Sequence, residues 1–194
     1  MWEKPDSIIK EELGKSERLL WAGQPKQGVT FRGSDALMIP FSLMWGGFAI
    51  FWEVMALSMF FVADEPPPVG VAIIFPLFGL PFVLVGLYII FGRFIVDSKR
   101  RAKTFYGLTD QRIIVVSGLF SRKIKSMNLR TLSDVSLSEK SDRTGTITFG
   151  PAHPMSAWFG NMSWPGMPQA GPSFEMIQDA KKVYEQLREA QSET

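Results

Sequence analysis

Residues 36–92 read ALMIPFSLMWGGFAIFWEVMALSMFFVADEPPPVGVAIIFPLFGLPFVLVGLYIIFG, and in them the only charged side chains are Glu53, Asp64 and Glu65, with no Lys or Arg. About 20 apolar residues in a helix cross roughly 30 Å of hydrocarbon. Two segments meet that requirement, 36–63 and 69–92, on either side of Asp64-Glu65-Pro66-Pro67-Pro68. Buried helices of soluble domains rarely run so far without a charge. The stretch therefore predicts a transmembrane helical hairpin and argues against a single soluble domain. Its linker is short and stiffened by three prolines, so the turn is tight.

Outward from the hairpin, 35 residues precede it and 102 follow it, enough for one modest core but not two. The flanks carry all the basic residues. Lys4, Lys10, Lys15, Arg18, Lys26 and Arg32 lie before the first span, and Arg93, Lys99, Arg100, Arg101 and Lys103 follow the second. By the positive-inside rule both flanks belong in the cytoplasm. The absence of cysteine fits a reducing compartment without requiring one.

A turn near Pro66 sets Gly46-Gly47 level with Gly86, and Glu53 level with Gly79. Small residues on both helices allow close backbone approach, so Gly46, Gly47, Gly79 and Gly86 are the expected packing positions. Glu53 is the one ionisable residue within a span and so a functional suspect. Transport needs a relay of polar groups that the second helix lacks, and Glu53 is expected near the outer interface, within reach of water. Pro40, Pro76 and Pro81 are tolerated in membrane helices and can kink them.

Beyond the basic run the pattern changes to short strands. Lys103–Thr109, Arg112–Val116 and Leu119–Leu129 are separated by Asp110-Gln111 and by Ser117-Gly118, and glycine supplies the backbone freedom of a hairpin turn. Residues 134–138 and 146–149 alternate polar and apolar around the turn at 142–145. Such strands predict an antiparallel sandwich or small barrel. Ser173 reads as an N-cap and Glu175 as a first-turn acid, and Phe174, Ile177, Ala180, Tyr184 and Leu187 recur at helical spacing with Val183 beside them. These predict one amphipathic helix over 174–190, packed on the sheet. In the leader, 18–23 and 28–32 read as two strand-like pieces that join the sheet. The fold class is thus α+β: segment 1–35, hairpin 36–92 and a domain over 93–194.

Glu17-Arg-Leu-Leu-Trp-Ala-Gly-Gln-Pro25, two spans, Tyr106-Gly-Leu-Thr-Asp-Gln-Arg-Ile-Ile114 and Gly145-Thr-Ile-Thr-Phe149 occur in an order that resembles the membrane-anchored branch of the bacterial PH-like domain family. The resemblance covers nearly the whole chain except 151–172. It implies a strongly bent antiparallel sheet of about seven strands closed by a C-terminal helix, no general enzymatic activity, and a bacterial inner-membrane location.

Catalytic and metal chemistry find no support. His153 is the only histidine and sits between Ala152 and Pro154, cysteine is absent, and no carboxylates fall at ligand spacing. No glycine-rich loop joins a strand to a helix, so no nucleotide or other cofactor is expected. Charge asymmetry is more informative. Residues 93–130 hold ten basic and two acidic side chains, whereas 131–194 hold five and eight. Each cation near anionic headgroups contributes about 1 kcal/mol. Lys99, Arg100, Arg101 and Lys103 serve equally as a topology signal. Arg122, Lys123 and Lys125 are not needed to form a strand and make a better headgroup site. The expected function is a non-enzymatic module binding anionic membrane lipid. The alternative is an accessory or scaffold subunit that uses the domain for protein contacts, including a second copy. Nucleic acid is not an expected partner, because a protein held at the membrane meets lipid first. Residues 151–172 contain Trp158, Phe159 and Trp164 among prolines without Lys or Arg. They are expected to strap across the sheet rather than to enter the bilayer.

Overall fold

The computed structural model describes residues 4–31, 35–62, 68–150 and 172–193. The chain forms two units, one from residues 1–28 with 98–194 and the other from 29–97. The expected strap over 151–172, apart from its last residue, and the turn at 64–67 lie outside the described residues.

Pro5 opens the first helix, α1 (Pro5–Lys10), at a position whose N–H has no helical acceptor in any case. The sequence reading missed this element, since six residues are too few for a periodic signal. Strand β1 (Leu19–Gly23) follows. The second strand-like piece at 28–32 is corrected: residues 28–31 are irregular, and Gly28, at φ 84°, breaks the extended run. In the helical unit come α2 (Asp35–Val62) and α3 (Val69–Leu87). The latter continues through a π turn at Tyr88–Gly92 into α4 (Arg93–Ala102), so the basic run lies on a helix. Both Asp35–Val62 and the continuous stretch Val69–Ala102 are long and apolar enough to cross a membrane.

The remaining strands are β2 (Phe105–Thr109), β3 (Arg112–Ser117), β4 (Lys123–Asn128), β5 (Val135–Glu139), β6 (Gly145–Phe149) and β7 (Ser173–Ile177), before the last helix, α5 (Ala180–Glu193). The strand expected from Leu119 begins only at Lys123, because the hairpin turn occupies the intervening residues. One antiparallel sheet has the order β1-β2-β3-β4, the other β5-β6-β7. Alternation along β3 feeds two cores. Ile113 and Val115 join Tyr106, Leu108, Ile147, Phe149 and Phe174 in the main core under α5. Ile114 and Val116 face the other way, where Ile8 and Ile9 of α1 cover them together with Phe105. A Cβ on Gly107 would stand 2.5 Å from the Ile9 side chain, so only glycine lets α1 lie this close.

The helix expected over 174–190 needs correction. Residues 173–177 are a strand, and the helix begins at Ala180. Gly145 pairs with Ile177 and Ile147 with Phe174, so three steps along β7 match two along β6. The extra residue is a bulge, with Met176 at φ 51°. It turns Phe174 and Ile177 to the same buried face, and a bulged strand thereby imitates the i, i+3 spacing of a helix. The rest of the stripe stands as read: Ala180, Val183 and Leu187 are buried, and Ala190 extends it.

Candidate functional site

The motif residues prove to be structural. The Arg112 guanidinium grips the Glu17 carboxylate with both ends, Nε to Oε1 and Nη2 to Oε2, each at 2.8 Å. Nη2 also donates to the Glu12 carbonyl at 2.9 Å. Thr109 Oγ1 donates to Glu17 Oε1 at 2.7 Å, and the Gly14 N–H donates to Oε2 at 2.9 Å. The Glu17 side chain is 3% exposed. Arg112, foremost by hydrogen bonding, holds the Glu17 carboxyl at a pKa of about 2, and the carboxylate in turn raises the pKa of Arg112. Tyr106 packs its ring 4.9 Å from that of Phe174 and accepts the Glu175 N–H at its hydroxyl, at 3.1 Å. Segments 17–25 and 106–114 therefore meet to staple the leader onto the sheet. No reacting group is built there.

The seven cations proposed for headgroups do not act alike. Arg101 is buried, and its Nη1 and Nη2 donate to the carbonyls of Lys26 and Gly28, each at 2.6 Å. It closes the chain around residues 24–28 and is removed from the headgroup set. The planar fork of arginine suits such paired carbonyls, which sequence spacing cannot reveal. Arg122 lies 2.7 Å from Glu12 and 3.5 Å from Glu11, so its charge is answered by the residues following α1. Lys99 and Arg100 are exposed in the last turn of α4, and Lys103 is exposed while donating to the Leu119 carbonyl at 3.2 Å. Lys123 and Lys125 are exposed on β4, opposite Ser117 and Val115. Antiparallel pairing places the α4–β2 junction, the β3–β4 turn and the exit of β1 at one end of the first sheet, because Gly23 pairs with Tyr106 and Phe105 with Val116. Lys103 and Lys123 thus belong to one end of the domain.

In the helical unit, a Cβ on Gly86 would come within 2.9 Å of the Gly46 Cα, and one on Gly79 would collide with the Glu53 carboxylate. Ser42, Gly46, Ala49 and Ala56 form the buried stripe of α2. Gly47 does not belong to it. A Cβ there meets nothing within 4 Å, since one residue further along turns a helix by about 100°. Glu53 also departs from expectation, because its Oε2 is buried in the helix pair and has no hydrogen-bond partner among the described residues. Asp35 and Arg93 form an ion pair at 3.2 Å, and the guanidinium lies 4.5 Å from the Phe94 ring centre. The outward faces of both helices remain apolar and uncovered, with Phe48, Phe51, Leu77 and Phe78 among the exposed side chains.

Among the described residues no three His, Cys, Asp or Glu side chains are grouped to hold a metal ion. His153 lies outside them.

No curated protein and no solved structure matches the chain. The family model described as the bacterial PH domain matches residues 58–191, well over half of the sequence. Its span takes in α3, α4, β2 to β7 and most of α5, and so both antiparallel sheets except β1. The chain belongs to the bacterial PH domain family.

Proposed function

We propose that this protein is a non-enzymatic membrane module, anchored by its helical hairpin, whose PH domain binds anionic lipid at the cytoplasmic face of the bacterial inner membrane. The observation that carries this reading is the exposure of Lys99, Arg100, Lys103, Lys123 and Lys125, in contrast to the buried Arg101. None is required by the cores, and anionic headgroups give such charges a use. The pairing of β1 with β2 supports the anchoring geometry. A strand before the hairpin and one after it share a sheet, which supports a reading in which both flanks lie on one side of the membrane and the helices cross it as a pair.

The test uses the full chain in detergent, titrated with short-chain phosphatidylglycerol or phosphatidylcholine while thermal unfolding is followed. A ligand bound only by the folded state raises the midpoint by mass action. Phosphatidylglycerol should raise it more than phosphatidylcholine, with the difference shrinking as salt shortens screening to about 8 Å. Lys123→Glu with Lys125→Glu should abolish the difference. Equal gains from both lipids would overturn the lipid reading, and a stoichiometric protein that co-purifies through the same lysines would favour the scaffold alternative.

A further inference from the structure

Phe120 is 98% exposed, at the turn between β3 and β4. A lone exposed apolar residue is ordinary on a protein surface, so its setting must carry the argument. The turn is tightly built. Gly118 has φ 148°, and a Cβ there would collide with the Ser121 carbonyl, so the chain folds back on itself and Phe120 occupies the protruding position. Lys103 fixes the turn from the other side through its bond to the Leu119 carbonyl. Burying a phenylalanine ring is among the larger favourable terms a side chain can supply, and the domain forgoes it here. Lys103 and Lys123 flank the tip, while Arg122 beside it is answered by Glu11 and Glu12. This is also the end of the sheet at which β1 ends and β2 begins.

We infer that the β3–β4 turn is a membrane-touching tip, with Phe120 entering the headgroup boundary of an anionic lipid surface and Lys103 and Lys123 holding phosphates around it. An aromatic ring with adjacent cations has the chemistry of an interfacial anchor: the ring leaves water, and the ammonium groups stay at the phosphates. The inference rests on the lipid-surface reading above and adds the contact point. It also explains why a solvent-facing phenylalanine is set on a turn held by a glycine and a lysine.

The chain has no cysteine, so a single thiol placed at residue 120 can carry an environment-sensitive fluorophore such as nitrobenzoxadiazole. Full-length Phe120→Cys is labelled and reconstituted in vesicles of phosphatidylcholine alone or mixed with phosphatidylglycerol. Gln111→Cys, in the turn at the opposite end of β3, and Lys125→Cys serve as comparison sites. The expected result is blue-shifted emission and loss of aqueous quenching at 120 in the anionic vesicles, with 111 quenched in both. Lys103→Glu with Lys123→Glu should return the label at 120 to water. A label at 120 quenched as fully as at 111 in both vesicles overturns the tip. So does shielding that is indifferent to lipid charge, or that appears only when another protein is added. A response at 125 with none at 120 defeats the tip and leaves lipid binding standing, whereas silence at both sites defeats both.

Discussion

At the scale of single residues, Glu17 shows how a charge becomes a structural fastener. Its carboxyl is held at about 2 against an ordinary 4.5, chiefly by the Arg112 hydrogen bonds. A depressed carboxyl stabilises the fold in full above its unfolded pKa, and that stabilisation is lost as pH falls through the folded value. The window therefore runs from about 4.5 down to about 2, and the effect is on the order of 3 kcal/mol. Thermal unfolding of the full chain in detergent should show stability falling over this range, and Glu17→Gln should flatten the fall. Asp142 is held at about 2 by Thr144 and titrates in both proteins, so the difference between the curves isolates Glu17. Parallel curves would mean that the Glu17–Arg112 pair does not govern acid stability. Arg112→Ala is the harsher change, since a buried carboxylate left without its partner costs about 3–5 kcal/mol.

Elements pair where their backbones can approach. In the helical unit the crossing is set by Gly46 and Gly86, with no room for a side chain between them. Gly86→Leu should force α2 and α3 apart. The residues Ala49 and Val83 lie at equal depth by the same register, so Ala49→Cys with Val83→Cys should oxidise to a disulfide in membranes, and adding Gly86→Leu should reduce its yield several-fold. An unchanged yield would place the crossing elsewhere. Gly47→Leu is the matched control, because a side chain there enters open space. In the sheet the decisive element is β7, whose bulge at Met176 brings Phe174 and Ile177 into one core.

For the whole molecule, the central constraint is that a domain assembled from residues 1–28 and 98–194 is interrupted in sequence by the helical unit. Its two parts are joined by β1–β2 pairing and by the Glu17–Arg112 staple. Single cysteines at Ser7 and Ser192 should therefore behave alike toward an impermeant thiol reagent, both protected in intact cells, while one at Pro68 should react. Labelling of Ser7 and Ser192 to different extents would break the shared-sheet argument, and labelling of both from outside would invert the orientation inferred from charge.

By itself the sequence determined what depends on runs and short periods. Two apolar stretches, with Glu53 the one charge in their interiors, define the helices, alternating residues define most strands, and the order of the 17–25 and 106–114 segments led to the family. Such patterns are local, and the chain cannot satisfy them in many other ways. Tertiary structure alone decided what depends on partners distant in sequence. It moved residues 173–177 from helix to strand, because a bulge and a helix bury the same two side chains at the same spacing. It buried Arg101 and set the exposed Arg122 in ion pairs, because carbonyls at 26 and 28 and carboxylates at 11 and 12 reach them only after folding. It left Phe120 exposed at a turn where the sequence showed only one more apolar residue in a strand. Charge and hydropathy are properties of a residue, but whether a charge is answered or a ring is covered is fixed by the neighbours that folding supplies.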